Sequence, residues 1–164
     1  MKTLPAVSVH QPWALGISHL GKTVENRGWA TKYRGPVAIH ATLKWDAAGE
    51  QSPLVQSSWR DRFLPADPPP AKARLVRDSL WITYGAVVAV ADVVGCHLAG
   101  DFDHCSPPGD LCSPWAVDSG WHWELADVRP LRTPVPCRGA QRLWRLPPEV
   151  DAAVHAQLAP ARAS

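Results

Sequence analysis

Lys22, Glu25, Asn26 and Arg27 stand in one short run, Lys22-Thr23-Val24-Glu25-Asn26-Arg27. An amine, a carboxylate, an amide and a guanidinium so close together offer proton transfer, charge pairing and hydrogen bonding to a base edge or a phosphate. Strand periodicity puts Thr23, Glu25 and Arg27 on one face and Lys22, Val24 and Asn26 on the other, unless a bend just after Gly21 turns Lys22 toward the first set. The run also fits a solvated edge strand whose charges only discourage pairing with another edge. Trp29, Tyr33 and Arg34 follow closely, and flat aromatic and guanidinium groups stack on bases or hold phosphates, which favours a site.

The flanking elements must position these groups. Ala6 to His10 alternates as a half-buried strand with Val7 and Val9 on one face. Pro12 fits a first helical position, Trp13, Ile17 and Leu20 form one stripe of a short helix, and Gly21 falls where a left-handed cap is expected. Gly35-Pro36 marks a turn into a strand with Val37, Ile39 and Ala41 on one side and Ala38 and His40 on the other. Gly85 to Val94 reads as a strand buried on both faces, and Asp92 within it requires an Arg or a backbone partner. On a later strand Trp121, Trp123 and Leu125 face one way; His122 and Glu124 face the other, either as exposed polar positions or as part of a site. Pro130, Pro134 and Pro136 are expected to interrupt pairing, Arg142 to Leu146 to form the last strand, and Pro147-Pro148 to open a helix with Val150, Val154 and Leu158 on one face.

Asp46 to Leu64 suits a helix interrupted near Ser52-Pro53, residues 66–70 a proline loop, and Ala71 to Trp81 a short helix. Cys96, His97, Asp101, Asp103, His104, Cys105 and Cys112 crowd the segment between Gly95 and Pro114. No close Cys-x-x-Cys pair occurs there, so an irregular insertion with idle thiols is expected, holding less than stoichiometric zinc, and no metal or other cofactor is predicted. The 164 residues suit a single domain over 1–159 with a tail at 160–164. A net charge of +2 argues against a long duplex footprint and for a small pocket or a short single strand. Without a long apolar run or an export signal, a cytoplasmic, bacterial-type protein with reduced thiols and no membrane association is expected. Gly16 to Thr23 carries the letters Gly-x4-Gly-Lys-Thr of a phosphate-binding loop, but the run falls on the short helix and its cap and not on a loop that opens a helix, so an ATPase reading is rejected.

Ser8-Val9-His10-Gln11-Pro12-Trp13-Ala14, then Gly21 to Arg27, then Tyr33 to Ala41 resemble, in that order, the signature of the activating signal cointegrator homology (ASCH) family. The similarity resumes at Trp121 to Leu125 and at Pro134 to Trp144. The resemblance implies an α+β fold: a PUA-like small bent β-barrel of about five or six strands with flanking short helices. It implies a cleft between the first helix and the barrel, with Trp13, Lys22, Glu25, Asn26, Arg27, Trp29, Tyr33, Arg34 and His40 as nucleic-acid-binding residues. The partner would be RNA, another single-stranded nucleic acid or a modified nucleoside. Lys22 and Arg27 would neutralise phosphate, Glu25 or Asn26 would pair with a base edge, and Trp29 or Tyr33 would stack.

The alternative the resemblance carries is hydrolysis. Some small ASCH proteins are amidohydrolases of N4-acetylcytidine, with a Lys after the first helix and a Thr three residues later; Lys22 matches that Lys, whereas Glu25 occupies the Thr position. As catalytic residues, Lys22 would be the nucleophile or base and Glu25 a proton relay. A ribonuclease would need Glu25, Asp92 or Glu124 to gather at a cation, and a protein-interaction module would need none of this. Lys22 and Arg27 are expected at the cleft surface, where their loss costs little stability.

Overall fold

The computed structural model describes residues 2–64, 73–105 and 111–158. The loop expected at 66–70 and the tail expected at 160–164 lie outside the described residues. In chain order the elements are β1 (Pro5–Gln11), α1 (Trp13–His19), β2 (Val24–Arg27), β3 (Gly35–Trp45), α2 (Ala47–Gln51), α3 (Pro53–Phe63), β4 (Ala86–Leu98), β5 (Trp121–Pro136), β6 (Leu143–Arg145) and α4 (Pro148–Leu158). The fold is α+β, built on one mixed sheet of order β2-β5-β4-β3-β1-β6. β1 and β3 run parallel and every other neighbour antiparallel.

Apolar alternation places that sheet between two cores. Val7, Val9, Val37, Ile39, Ala91, Val93 and Trp123 face α1 and bury Ala14 and Ile17. Leu4, Ala6, Ala38, Val87, Val90 and Leu131 face the other way, against Val150 and Val154 of α4. β4 serves both cores, as its unbroken apolar run requires. No ladder joins β2 to β6 among the described residues, so the last strand does not close a barrel through its backbone. The sheet curls instead: from β2 at one edge, Arg27 Nη2 donates to Ser8 O of β1 at 2.7 Å.

Two expected interruptions resolve differently. β5 runs through its prolines, pairing Pro130 with Ala89 and Pro136 with Ala86, because register shifts absorb the missing donors. Residues 73–82 form turns, not a helix. There the Gln56 side chain does the work of a backbone neighbour, donating to Leu75 O and accepting from Leu75 N, both at 2.9 Å, so that buried Leu75 leaves no peptide group unpaired. The break near Ser52-Pro53 is a change of helix, with Asp46 capping α2 and Ser52 capping α3. Asp92 finds its partner in Arg129 at 2.9 Å.

Candidate functional site

α1 ends at a turn through Gly21, whose φ of +75° only glycine adopts freely. The turn folds Lys22 back beneath the helix, where its N–H bonds Gly16 O at 3.0 Å. A methyl group on Gly16 would lie 3.2 Å from Lys22 Cδ, a tight contact, so the bare backbone there lets the helix lie close over the lysine. The amine donates to Val24 O and sits 3.6 Å from Glu25 Oε2. Glu25 Oε1 in turn lies 3.1 Å from Arg27 Nε. That N–H points too poorly at the carboxylate to bond it and is otherwise unpartnered although buried. Lys22, Glu25 and Arg27 therefore do share one cleft.

The cleft is about 440 Å³, within the range of small-molecule sites, and is lined by both faces of the bend. Trp13 supplies one indole, its Nε1 donating to Asp46 Oδ2 at 2.7 Å. Trp115 supplies the second, and Asn26 holds its loop: the Asn26 amide donates to Trp115 O at 2.9 Å and accepts from Val117 N at 3.1 Å. Two cations, Lys22 and Arg27, face two carboxylates, Glu25 and Asp46, so the charges in the cleft offset one another. Burial lowers the Lys22 pKa; the Glu25 charge and hydrogen bond oppose that shift, and the Arg27 charge adds to it.

Of the residues the sequence nominates, Trp13, Lys22, Glu25, Asn26 and Arg27 come together and four others do not line the cleft. Trp29 packs edge-on against Trp123 with ring centres 4.7 Å apart. Tyr33 donates its hydroxyl to Pro36 O at 2.6 Å, and Arg34 bonds Thr31 O and Tyr33 O, so both fasten their own turn. His40 is on the α4 side of the sheet, because β3 alternates, with Nε2 3.0 Å from Cys137 O and its ring against Trp144; burial lowers its pKa. Lys22 corrects a further expectation: it is 2% exposed and belongs to the interior. Ser8, Val9, His10, Asp46, Ala48, Trp115 and Val117 complete the lining. Ser8 and His10 lie inside the first motif, whereas Trp115 carries no signal that separates it from the other tryptophans.

Glu25, Asp92 and Glu124 do not gather. Each has its own cationic or imidazole partner, in Lys22 and Arg27, in Arg129 and in His97 respectively. The cysteines of the 95–114 segment do meet histidines: His97, Cys105, Cys112 and His122 converge, and His122, for which an exposed position was one alternative, is completely buried. No helix among the described residues is long and apolar enough to cross a membrane.

No protein-family model matches the chain. Human activating signal cointegrator 1 is 27% identical over 154 residues, covering 91% of this chain, and the mouse protein of the same name matches to the same extent. The chain spans 22% of the length of these curated relatives. The crystal structure of a point mutant of the ZmASCH protein from Zymomonas mobilis shares the fold, with a TM-score of 0.51 at 14% identity over 94% of this chain and 98% of that one.

Proposed function

With the sequence match and the shared fold supporting an ASCH domain assignment, we propose that this chain binds the base of an unpaired or modified nucleotide in the cleft beside α1, either within single-stranded RNA or as the free nucleoside. The buried Arg27 Nε–H without a well-directed acceptor carries the reading. An unmet buried donor costs about 1–3 kcal/mol, which a base carbonyl reaching it would recover. The two indoles offer flat surfaces for the ring, and the offsetting charges of Lys22, Arg27, Glu25 and Asp46 favour a neutral base over a phosphate. Asn26 positions the Trp115 loop and so takes no direct part in reading the base.

A titration with single-stranded RNA, single-stranded DNA, duplexes and free modified nucleosides tests this, scored for binding and for product. Binding of a nucleoside or single strand that weakens at least tenfold in Arg27→Gln supports the reading. Indifference of the chain to every ligand would sink it and leave the protein-interaction module.

The lowered Lys22 pKa favours a second reading, hydrolysis, because a neutral amine is a nucleophile or base. Lys22→Met should then keep ligand binding and abolish product, while an unreactive parent would leave binding as the function.

A further inference from the structure

β4 and β5 place His97 directly opposite His122 in their antiparallel ladder, and each imidazole commits one nitrogen to a fixed partner. His97 Nδ1 lies 2.8 Å from Glu124 Oε1, and His122 Nε2 lies 2.6 Å from Val117 O. A carboxylate and a carbonyl only accept, so both contacts carry the imidazole proton and leave His97 Nε2 and His122 Nδ1 as bare lone pairs. Those lone pairs face each other at 3.3 Å. Cys105 Sγ stands 3.3 Å from His97 Nε2 and 3.6 Å from His122 Nδ1, and Cys112 Sγ 3.2 Å from His122 Nδ1. Metal–nitrogen bonds of about 2.0–2.1 Å and metal–sulfur bonds of about 2.3 Å put the corners of a zinc tetrahedron about 3.3 Å apart for two nitrogens and about 3.5 Å for nitrogen and sulfur. The nitrogen–nitrogen contact matches its edge, the three nitrogen–sulfur contacts fall within about 0.3 Å of theirs, and all four atoms lie within 4.8 Å of one another.

We propose that His97 Nε2, Cys105 Sγ, Cys112 Sγ and His122 Nδ1 bind one Zn²⁺ ion. Two imidazoles and two thiolates at tetrahedral spacing select zinc among the divalent metals, and four protein ligands close the site, which makes the ion structural. The second shell is already in place: Glu124 and the Val117 carbonyl orient the two rings as metal-bound histidines require. Gly95 makes room for it, since a methyl group there would fall 2.5 Å from the Glu124 carboxyl carbon. Only Cys112 is exposed, which gives the ion a way in. Once bound, it ties the segment carrying Cys105 and Cys112 to β4 and β5. Through His122 and Val117 it also steadies the loop that bears Trp115, whatever the cleft binds.

The competing arrangement has each thiol share its proton with an imidazole, without metal. Metal analysis and cobalt titration of the full chain under reducing conditions distinguish the two. Zinc binding predicts one zinc per purified chain. It also predicts thiolate-to-cobalt charge-transfer bands with intense tetrahedral visible bands that saturate at one Co²⁺ and vanish when Zn²⁺ is added. Cys112→Ser, at the exposed ligand where folding is least threatened, should remove part of the charge-transfer intensity. It should also weaken zinc at least tenfold, and Glu124→Gln should do so by about 10–100-fold through the ring it orients. A folded parent with well under one zinc and no cobalt bands would overturn the site, as would bands left unchanged by Cys112→Ser.

Discussion

Replacing Glu25 by Gln tests whether one carboxylate holds two buried cations in the cleft. The side chains of Lys22 and Glu25 are only 2% and 9% exposed, so the pair falls under the rule for buried charges and not the weak one for surface ion pairs. Removing one partner of a buried pair costs about 3–5 kcal/mol. Lys22 can limit that cost by losing its proton, because burial already lowers its pKa below the ordinary 10.5 and the variant loses the charge and hydrogen bond that resist the shift. The penalty should therefore be about 2–3 kcal/mol near neutral pH.

Its pH dependence follows from linkage. Between the folded and unfolded pKa values the unfolded chain carries the extra proton on Lys22, so stability rises with pH at about 1.4 kcal/mol per unit. The variant enters this regime at a lower pH than the parent. The difference between them should shrink at that slope between their two folded pKa values and stay level outside that window, leaving a residue from the lost Glu25–Arg27 attraction. Urea unfolding followed by tryptophan fluorescence from pH 6 to 10 measures it. Parallel curves across the range would refute the claim that Glu25 sustains the charge on Lys22.

Asn26→Ala should release both Trp115 O and Val117 N, costing about 1–3 kcal/mol and weakening ligand binding at least tenfold; unfolding curves and ligand titration report the two effects separately. Gly120→Ala should destabilise by several kcal/mol, seen as a fall in melting temperature, because φ is +74° and the added carbon would sit 2.6 Å from Arg27 O. Arg129→Ala, in contrast, should cost no more than about 1 kcal/mol in the same melt, since its pair with Asp92 is about a third exposed on both sides. Ligand affinity should fall with salt by a slope of about one counterion or fewer, because Glu25 and Asp46 already offset Lys22 and Arg27; a slope of three or more would mean phosphates dominate.

Local signals made much of this legible in the sequence. Alternation at Val7 and Val9, the glycine after α1 and the apolar run of β4 each reflect a constraint held within a few residues and stand in the structure as read, whereas the Trp13-Ile17-Leu20 stripe divides, Ile17 packing with Val7 and Val9 and Leu20 joining Leu15 against Val55 and Trp59. The bend that brings Lys22 to Glu25 was legible for the same reason. What escaped depends on partners distant in the chain. Trp29 and Tyr33 have the chemistry of stacking residues, yet Trp123 occupies one and Pro36 the hydroxyl of the other. His97 and His122 become neighbours only through strand register, so a search for closely spaced ligand pairs misses them. Asn26 looked like a base reader because an amide can be one. Only the position of a loop some 90 residues later shows both its hydrogen-bonding sides taken.

The pairing of β2 with β5 also sets an order of events during synthesis. Val24 to Arg27 emerge early, but their strand partners Trp121 to Glu124 follow about 100 residues later, which at 5–20 residues per second is a wait of roughly 5–20 s. Through that interval β1, α1 and β3 can already meet, since their paired residues lie about 32 apart, while the strand carrying the glutamate and arginine of the cleft lacks its partner β5. The charged residues of the cleft thus precede by about 100 residues the strand that fixes them in the sheet. Closing so long a loop slows folding more than it lowers stability. A nascent chain stopped before Trp121 would therefore carry the run from Lys22 to Arg27 and lack the strand it pairs with.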